Sequence, residues 1–234
     1  MRRHRTLLSA LLVLGFALAF LSPSRAQTAS HPVTGSELLA LVAAESVDQN
    51  IVHAIESRAL AFRPSDHYRS LLTIAGASAP VLAALNKSKI SEGAADPEVM
   101  ESPDFLIHLS TAGKLIRAKQ FDPAAKEITA AVHSKVGPEA GFVMGHLQDQ
   151  LRDFDNAAEI YMQILEMSPD FPGAHARLAF DLYSFGNAQG AMQEAQAALN
   201  QYKDDPEAHK IWVSDFTPRR NSMAQSRNIK RRCG

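Results

Sequence analysis

Apolar residues recur at three- and four-residue spacing through most of the chain, which is the period of an amphipathic helix. In DFDNAAEIYMQILEMSP, residues 153–169, Ala157, Tyr161 and Ile164 fall on one side and Pro169 stops the pattern. Two earlier stretches, SELLALVAAESVDQNIVHAIESRAL and SDHYRSLLTIAGASAPVLAALNKS, carry the same period between Ser36 and Ser88. A shift of thirty positions lays the first on the second, with Leu41 on Leu71, Val42 on Leu72, Ile51 on Val81 and Ile55 on Leu85. The spacing predicts a small four-helix module over 36–88, made of two helix-turn-helix units. Asp48 and Ser78 stand where an N-cap is needed, and Ser65 and Asp66 open the third helix behind Pro64. Gly76 stands where a helix must turn through a left-handed residue. NKSKISEGAADPEVMESPDF then breaks the period with Gly93, Pro97, Pro103 and several acids, so 89–103 reads as a solvated linker.

Beyond the linker the period returns with a longer repeat. A shift of thirty-four carries Gly145 to Ala179, Phe154 to Ala188, Ala157 to Ala191 and Leu165 to Leu199. A looser copy lies thirty-three residues upstream, where Phe121 precedes Phe154, Ala124 precedes Ala157 and Ile128 precedes Tyr161. A fixed period of this size predicts stacked helix pairs, each burying a face it cannot bury alone. Three pairs are expected over 105–205, with Gly145, Ala157, Tyr161, Pro169, Ala179 and Ala191 as the packing residues.

Those residues resemble the tetratricopeptide repeat family, whose unit has a small residue early in helix A, an Ala and an aromatic in helix B and a terminal proline. The middle copy, starting at Pro138, supplies Gly145, Ala157, Tyr161 and Pro169; the copy starting at Pro172 supplies Leu178, Ala179, Leu182, Gly186, Ala191 and Ala198. The copy starting near Phe105 supplies Ala112, Leu115, Ala124 and Ala131. The family's Trp is replaced by Gly141 and His175, and the Tyr of its helix A by Gln148 and Leu182. The resemblance implies an all-α protein, a right-handed α-solenoid of about three helix pairs behind the four-helix module. It also implies a concave groove lined by the A helices, suited to an extended peptide or a partner helix. By the family's groove positions the partner-binding residues are Phe142, His146, Asp149 and Gln150, then Phe180, Tyr183 and Ser184, then Ile116 and Arg117. Two fates are open for Phe142, Phe180 and Tyr183: anchors for a partner, or packing against the module or a neighbouring repeat. Arg117 stands alone, so no basic clamp for a terminal carboxylate is expected. DPEAHKIW, from Asp205, reads as a capping helix or truncated repeat over 206–218. The thirty-residue module, with IESRALAF before LLTIAGASAPVLAAL, also looks like a small helical module found beside repeats in exported bacterial proteins.

Composition adds a compartment. Arg2, Arg3 and Arg5 precede an apolar run from Leu7 to Leu21, and SPSRAQ places Ser24 and Ala26 at the small-residue positions of a cleavage site. A signal peptide over 1–26 is expected, with the alternative of an uncleaved anchor, and with it export to a periplasm or the exterior. After cleavage no stable membrane anchor is expected. The formal charge is −1, but four of the 24 basic residues lie in the signal and six after Pro218, leaving 14 against 25 acidic residues in the body. An acidic body argues against nucleic acid as a partner, and the basic stretch 219–234 reads as a disordered tail. Cys233 is the sole cysteine, which rules out an intrachain disulfide.

Candidate chemistry is sparse. HExxH, GxSxG, the phosphate-binding GxxxxGK[ST] and the dinucleotide glycine pattern are all missing from the sequence. His108, His133, His146, His175 and His209 are scattered singly and suggest neither a metal site nor a catalytic one. STAGK, 110–114, sets a hydroxyl near a lysine but falls inside a helix. No catalytic residue, metal or cofactor is expected, and the reading is a non-enzymatic module that binds a protein or peptide. The alternative is a structural or truncated piece of a larger repeat protein with no ligand of its own.

Overall fold

The computed structural model describes residues 31–213. The signal peptide over 1–26 and the tail over 219–234 lie outside the described residues, as does the end of the 206–218 stretch. The described chain is an all-α helical repeat solenoid with a helical module in front, to which two short strands are added. None of the described helices is long and apolar enough to cross a membrane.

The module holds α1 (Gly35–Ala43), α2 (Asp48–Arg58), β1 (Leu60–Phe62), α3 (Asp66–Ala75), α4 (Ala79–Lys87) and β2 (Ile90–Ala95). Ser65 caps α3 by accepting from the Tyr68 amide, and Ser78 caps α4 by accepting from Val81. Gly76 closes α3 in the left-handed region at φ 98°. Asp48 corrects one expectation: Val47 holds the cap position, and Asp48 is the first helical residue with no capping bond from its neighbour. Thr34 caps α1 through its side-chain oxygen.

The expected linker over 89–103 is structured. β2 pairs in parallel with β1, Leu60 opposite Ile90, and α5 (Pro97–Met100) follows. Leu60 and Ile90 are again thirty residues apart, so each copy of the module's repeat is a helix, a helix and a strand, and the copies join edge to edge. Gly93 belongs to a strand with an irregular register, and Pro97 and Pro103 stand in the first turns of α5 and the following helix.

The repeats follow as α6 (Pro103–Arg117) with α7 (Phe121–Ser134), α8 (Pro138–Leu151) with α9 (Phe154–Met167), and α10 (Ala174–Ser184) with α11 (Ala188–Gln201). Residues 206–213 are again helical, in the register of a fourth helix A. Gly145, Ala157, Tyr161, Ala179 and Ala191 are all buried. A Cβ on Gly145 would stand 2.8 Å from the Tyr161 ring, so the small residue is what lets the ring lie between α8 and α9. Pro169 departs from its expected packing role: it is exposed in the turn before α10, and its carbonyl accepts from the Gln201 side chain.

The histidines are less scattered than their sequence positions suggest. His108 in α6 and His175 in α10 occupy the same place in their repeats, three residues after the start of each copy. Each pairs with a glutamate nineteen residues later, His108 with Glu127 at 2.7 Å and His175 with Glu194 at 2.6 Å. A polar His–Glu contact thus spans the A–B seam at this position.

Candidate protein-interaction site

The groove begins as the surface of the A helices α6, α8 and α10. In the first two repeats that surface is occupied by the chain's own module. Every residue of α1 is buried, because α3 covers one face while α6 and α8 cover the other, and its polar Ser36 and Glu37 are paired with Glu139 and Arg58. Gly113 at a groove position of α6 brings the two backbones together: a Cβ there would stand 2.7 Å from Cα of Ala43. Ser110 Oγ donates to the Leu71 carbonyl at 2.8 Å, so the hydroxyl of STAGK ties α6 to α3.

Two arginines of the array reach the C-terminal ends of the module's helices. Arg117 donates to the carbonyls of Ala75 and of Val42, the latter at 2.8 Å. Arg177, from α10, donates to the carbonyls of Ala44 at 3.1 Å and Glu45 at 3.4 Å. Helix C-termini carry unsatisfied carbonyls and partial negative charge, so paired guanidiniums there are favourable. Arg117 therefore does not stand alone. It belongs to a clamp whose second member, Arg177, lies outside the family's groove positions, and the carbonyls it holds belong to the same chain.

His146 is packed between the two bodies. A guanidinium only donates, so Nδ1 of His146 accepts from Arg177 Nη1 at 3.2 Å, leaving Nε2–H to donate to Glu45 Oε2 at 3.1 Å. Burial lowers the His146 pKa against the opposing pull of Glu45, and the bond to His146 holds the Glu45 carboxyl below its usual range. Asp149 accepts from the Tyr161 hydroxyl at 2.9 Å and lies 3.9 Å from Arg177. Although burial opposes it, the surrounding Glu207, Tyr161, Asp149 and Asp181 raise the Arg177 pKa. On the far side Asn50 donates to Asp205 and Glu207, and His53 stacks on Tyr202 with ring centres 3.8 Å apart.

The expected partner-binding residues therefore divide. Phe142 is fully buried and packs on Tyr161 and Phe171, with ring centres 5.6 and 4.9 Å away, and Ile116 is buried too. The expectation that these side chains face an open groove fails, because the groove they would line is core. His146, Asp149 and Arg117 are engaged in the docking network, and Gln150 is exposed beside it. Phe180, Tyr183 and Ser184 remain on the surface, the aromatics 43% and 36% exposed. Phe180 meets Phe154 edge to face at 5.7 Å, and Phe185, 44% exposed, follows at the end of α10.

The groups with hydrolytic potential are tied up. Lys135 Nζ lies 3.1 Å from Ser36 Oγ, an arrangement that serves as a nucleophile and base when the amine is neutral. Against the lowering effect of burial, Glu139 and Glu101 raise the Lys135 pKa and keep it charged. Ser36 Oγ donates to Glu139 at 2.7 Å, so the cluster works as a clasp between α1 and the array. Among the described residues no group of three or more His, Cys, Asp or Glu side chains is arranged to hold a metal ion.

Residues 150–211 match the family model described as tetratricopeptide repeat, covering α9, α10, α11 and the start of the fourth helix A. Comparison with curated proteins and with solved structures found no match to either.

Proposed function

We propose that this tetratricopeptide-repeat chain is an exported, non-catalytic module that binds a protein or peptide through the open part of its groove, at Phe180, Tyr183 and Ser184. The repeat class generally serves protein or peptide binding. The observation that carries the assignment is the contrast along the groove: its positions in the first two repeats, Gln150 apart, are buried or engaged in the docking network, while α10 leaves two aromatics in solvent. Aromatic anchors beside polar groups are the residues from which interfaces draw most of their energy. Export rests on the basic, apolar and small-residue order of 1–26.

The test is cross-linking capture from the native cell envelope with the full chain and with a Phe180→Ala, Tyr183→Ala variant shown by circular dichroism to be folded. Loss of partners in the variant supports the site, and retention of every partner refutes it. Mass measurement of the exported protein is expected to give a start at Gln27. A second reading, a structural piece with no ligand of its own, draws support from the same filled groove, and it predicts no captured partner with either protein.

A further inference from the structure

The interior beside the clamp holds a group of atoms that the docking network leaves over. Asp181 is completely buried, and neither of its carboxylate oxygens has a hydrogen-bond donor. Oδ1 of Asp149 and Nε of Arg177 are unpartnered in the same place. Asp181 follows Arg177 by one turn of α10, and Asp149 of α8 lies 3.9 Å from that same guanidinium, which brings the two carboxylates to one place. Two ionised carboxylates have only acceptors to offer each other, so that contact becomes a bond only when one of them carries a proton.

We propose that Asp149 and Asp181 form a single-proton site, sharing one proton taken from solvent across the α8–α10 seam, and that this proton helps keep Arg177 on the α1 carbonyls. The charged and titratable groups around it come from each neighbouring element: His146 from α8, Tyr161 from α9, Arg177 from α10 itself, Glu207 from 206–213 and Glu45 from the α1–α2 turn. Glu194 of α11 is engaged with His175 instead. With one proton, the pair carries one negative charge toward Arg177, whose other charge partners are Glu207 and the carbonyl ends of the module. Without it, two anions meet where water is excluded. Arg177 is then drawn from Ala44 and Glu45 toward the carboxylates, and the module loses half of its clamp.

Burial and the facing Asp149 push the Asp181 pKa up to about 9, so the pair keeps its proton through neutral pH. The raised value sets the sign. The folded chain binds the proton more tightly than the unfolded chain, so the stability it confers is complete below the ordinary value of 3.8 and is lost as pH rises through about 9.

The test uses the full mature chain labelled with 13C at the aspartate side-chain carbonyl, followed by NMR, beside Asp181→Asn and Asp149→Asn variants. Either asparagine can donate to the remaining carboxylate without a titrating proton. One aspartate signal of the unmodified chain is expected to titrate above pH 7 and to vanish from both variants. The unfolding equilibrium constant of the unmodified chain is expected to rise with pH relative to Asp181→Asn, by up to about tenfold per pH unit inside the window. Amide signals of Val42 and Glu45 are expected to shift with the same midpoint. If all aspartates titrate in the ordinary acid range, which the unmodified chain alone can reveal, the site does not exist. Equal pH slopes in parent and variant overturn it as well, and amides that ignore the midpoint overturn the link to the module.

Discussion

Substituting Gly113 by alanine tests the docking of the module most directly. A Cβ at that position would lie 2.7 Å from Cα of Ala43, 2.9 Å from its Cβ and 3.2 Å from the Ala75 carbonyl oxygen. Carbon atoms prefer about 3.5–4.0 Å, so the new methyl intrudes by most of an ångström. None of the three atoms is the tip of a flexible side chain, and α1 has no solvent side to retreat into. Overpacking costs about 1–3 kcal/mol, and a contact with backbone belongs in the upper half of that range. Replacing a helical glycine returns about 0.5–1 kcal/mol. The net expected loss is about 1–2.5 kcal/mol. Gly141→Ala is the matched control, because its Cβ would meet Ile164 at an ordinary 3.4 Å and only the helix gain remains. Urea unfolding followed by far-ultraviolet circular dichroism, with equal slopes, reads both. A Gly113→Ala protein as stable as the parent would refute the close approach of α1 to α6, and with it the filled groove.

Two further outcomes follow from the clamp. Arg177→Met removes the guanidinium 3.9 Å from Asp149 together with its two bonds to the Ala44 and Glu45 carbonyls at the end of α1, and urea unfolding is expected to show a loss of about 3–5 kcal/mol, the range for breaking a buried pair from one side. A loss under 1 kcal/mol contradicts the clamp. His146 has a lowered pKa, so the unfolded chain takes its proton first: stability is full above the ordinary 6.5 and declines as pH falls below it. His146→Gln keeps a donor for Glu45 and is expected to flatten that acid-side decline in urea midpoints, and an unchanged decline assigns it to other groups.

The repeats were legible because their signal is local. The thirty-four-residue shift depends on small residues at Gly145, Ala157, Ala179 and Ala191, which pack within or between adjacent pairs and are buried as their spacing implies. The module's helices were legible for the same reason. β2 was missed although its signal was present: continuing the thirty-residue shift two steps past the second helix lays Leu60 on Ile90, which pair. The His-to-Glu spacing of nineteen, seen at His108 and again at His175, was available too. The docking of the module was not. Phe142 and Ile116 follow the groove pattern of an empty array, and nothing near them in sequence records that α1, more than seventy residues earlier, fills the groove. Arg177 escaped for the same reason, since its partners Ala44 and Glu45 are more than 130 residues away.

Solenoid repeats ordinarily contact only their neighbours, so such proteins can fray from an end or melt in sections. Here α1 is buried against the first and second repeats, and Asn50 reaches across 155 residues to Asp205 beside the last described helix. The module thus acts as a keel laid along the array and fastened at intervals. A chain of this design loses sectional melting: detaching the last repeat strips partners from Asn50, His53 and the α1 carbonyls at once. Its leading segment also emerges from synthesis long before the surfaces that bury it. LLALVAA, residues 38–44, gains its first cover from α3 and α6 but stays open on the side of α8 until that helix ends at Leu151, which ties the completion of the module to that of the second repeat.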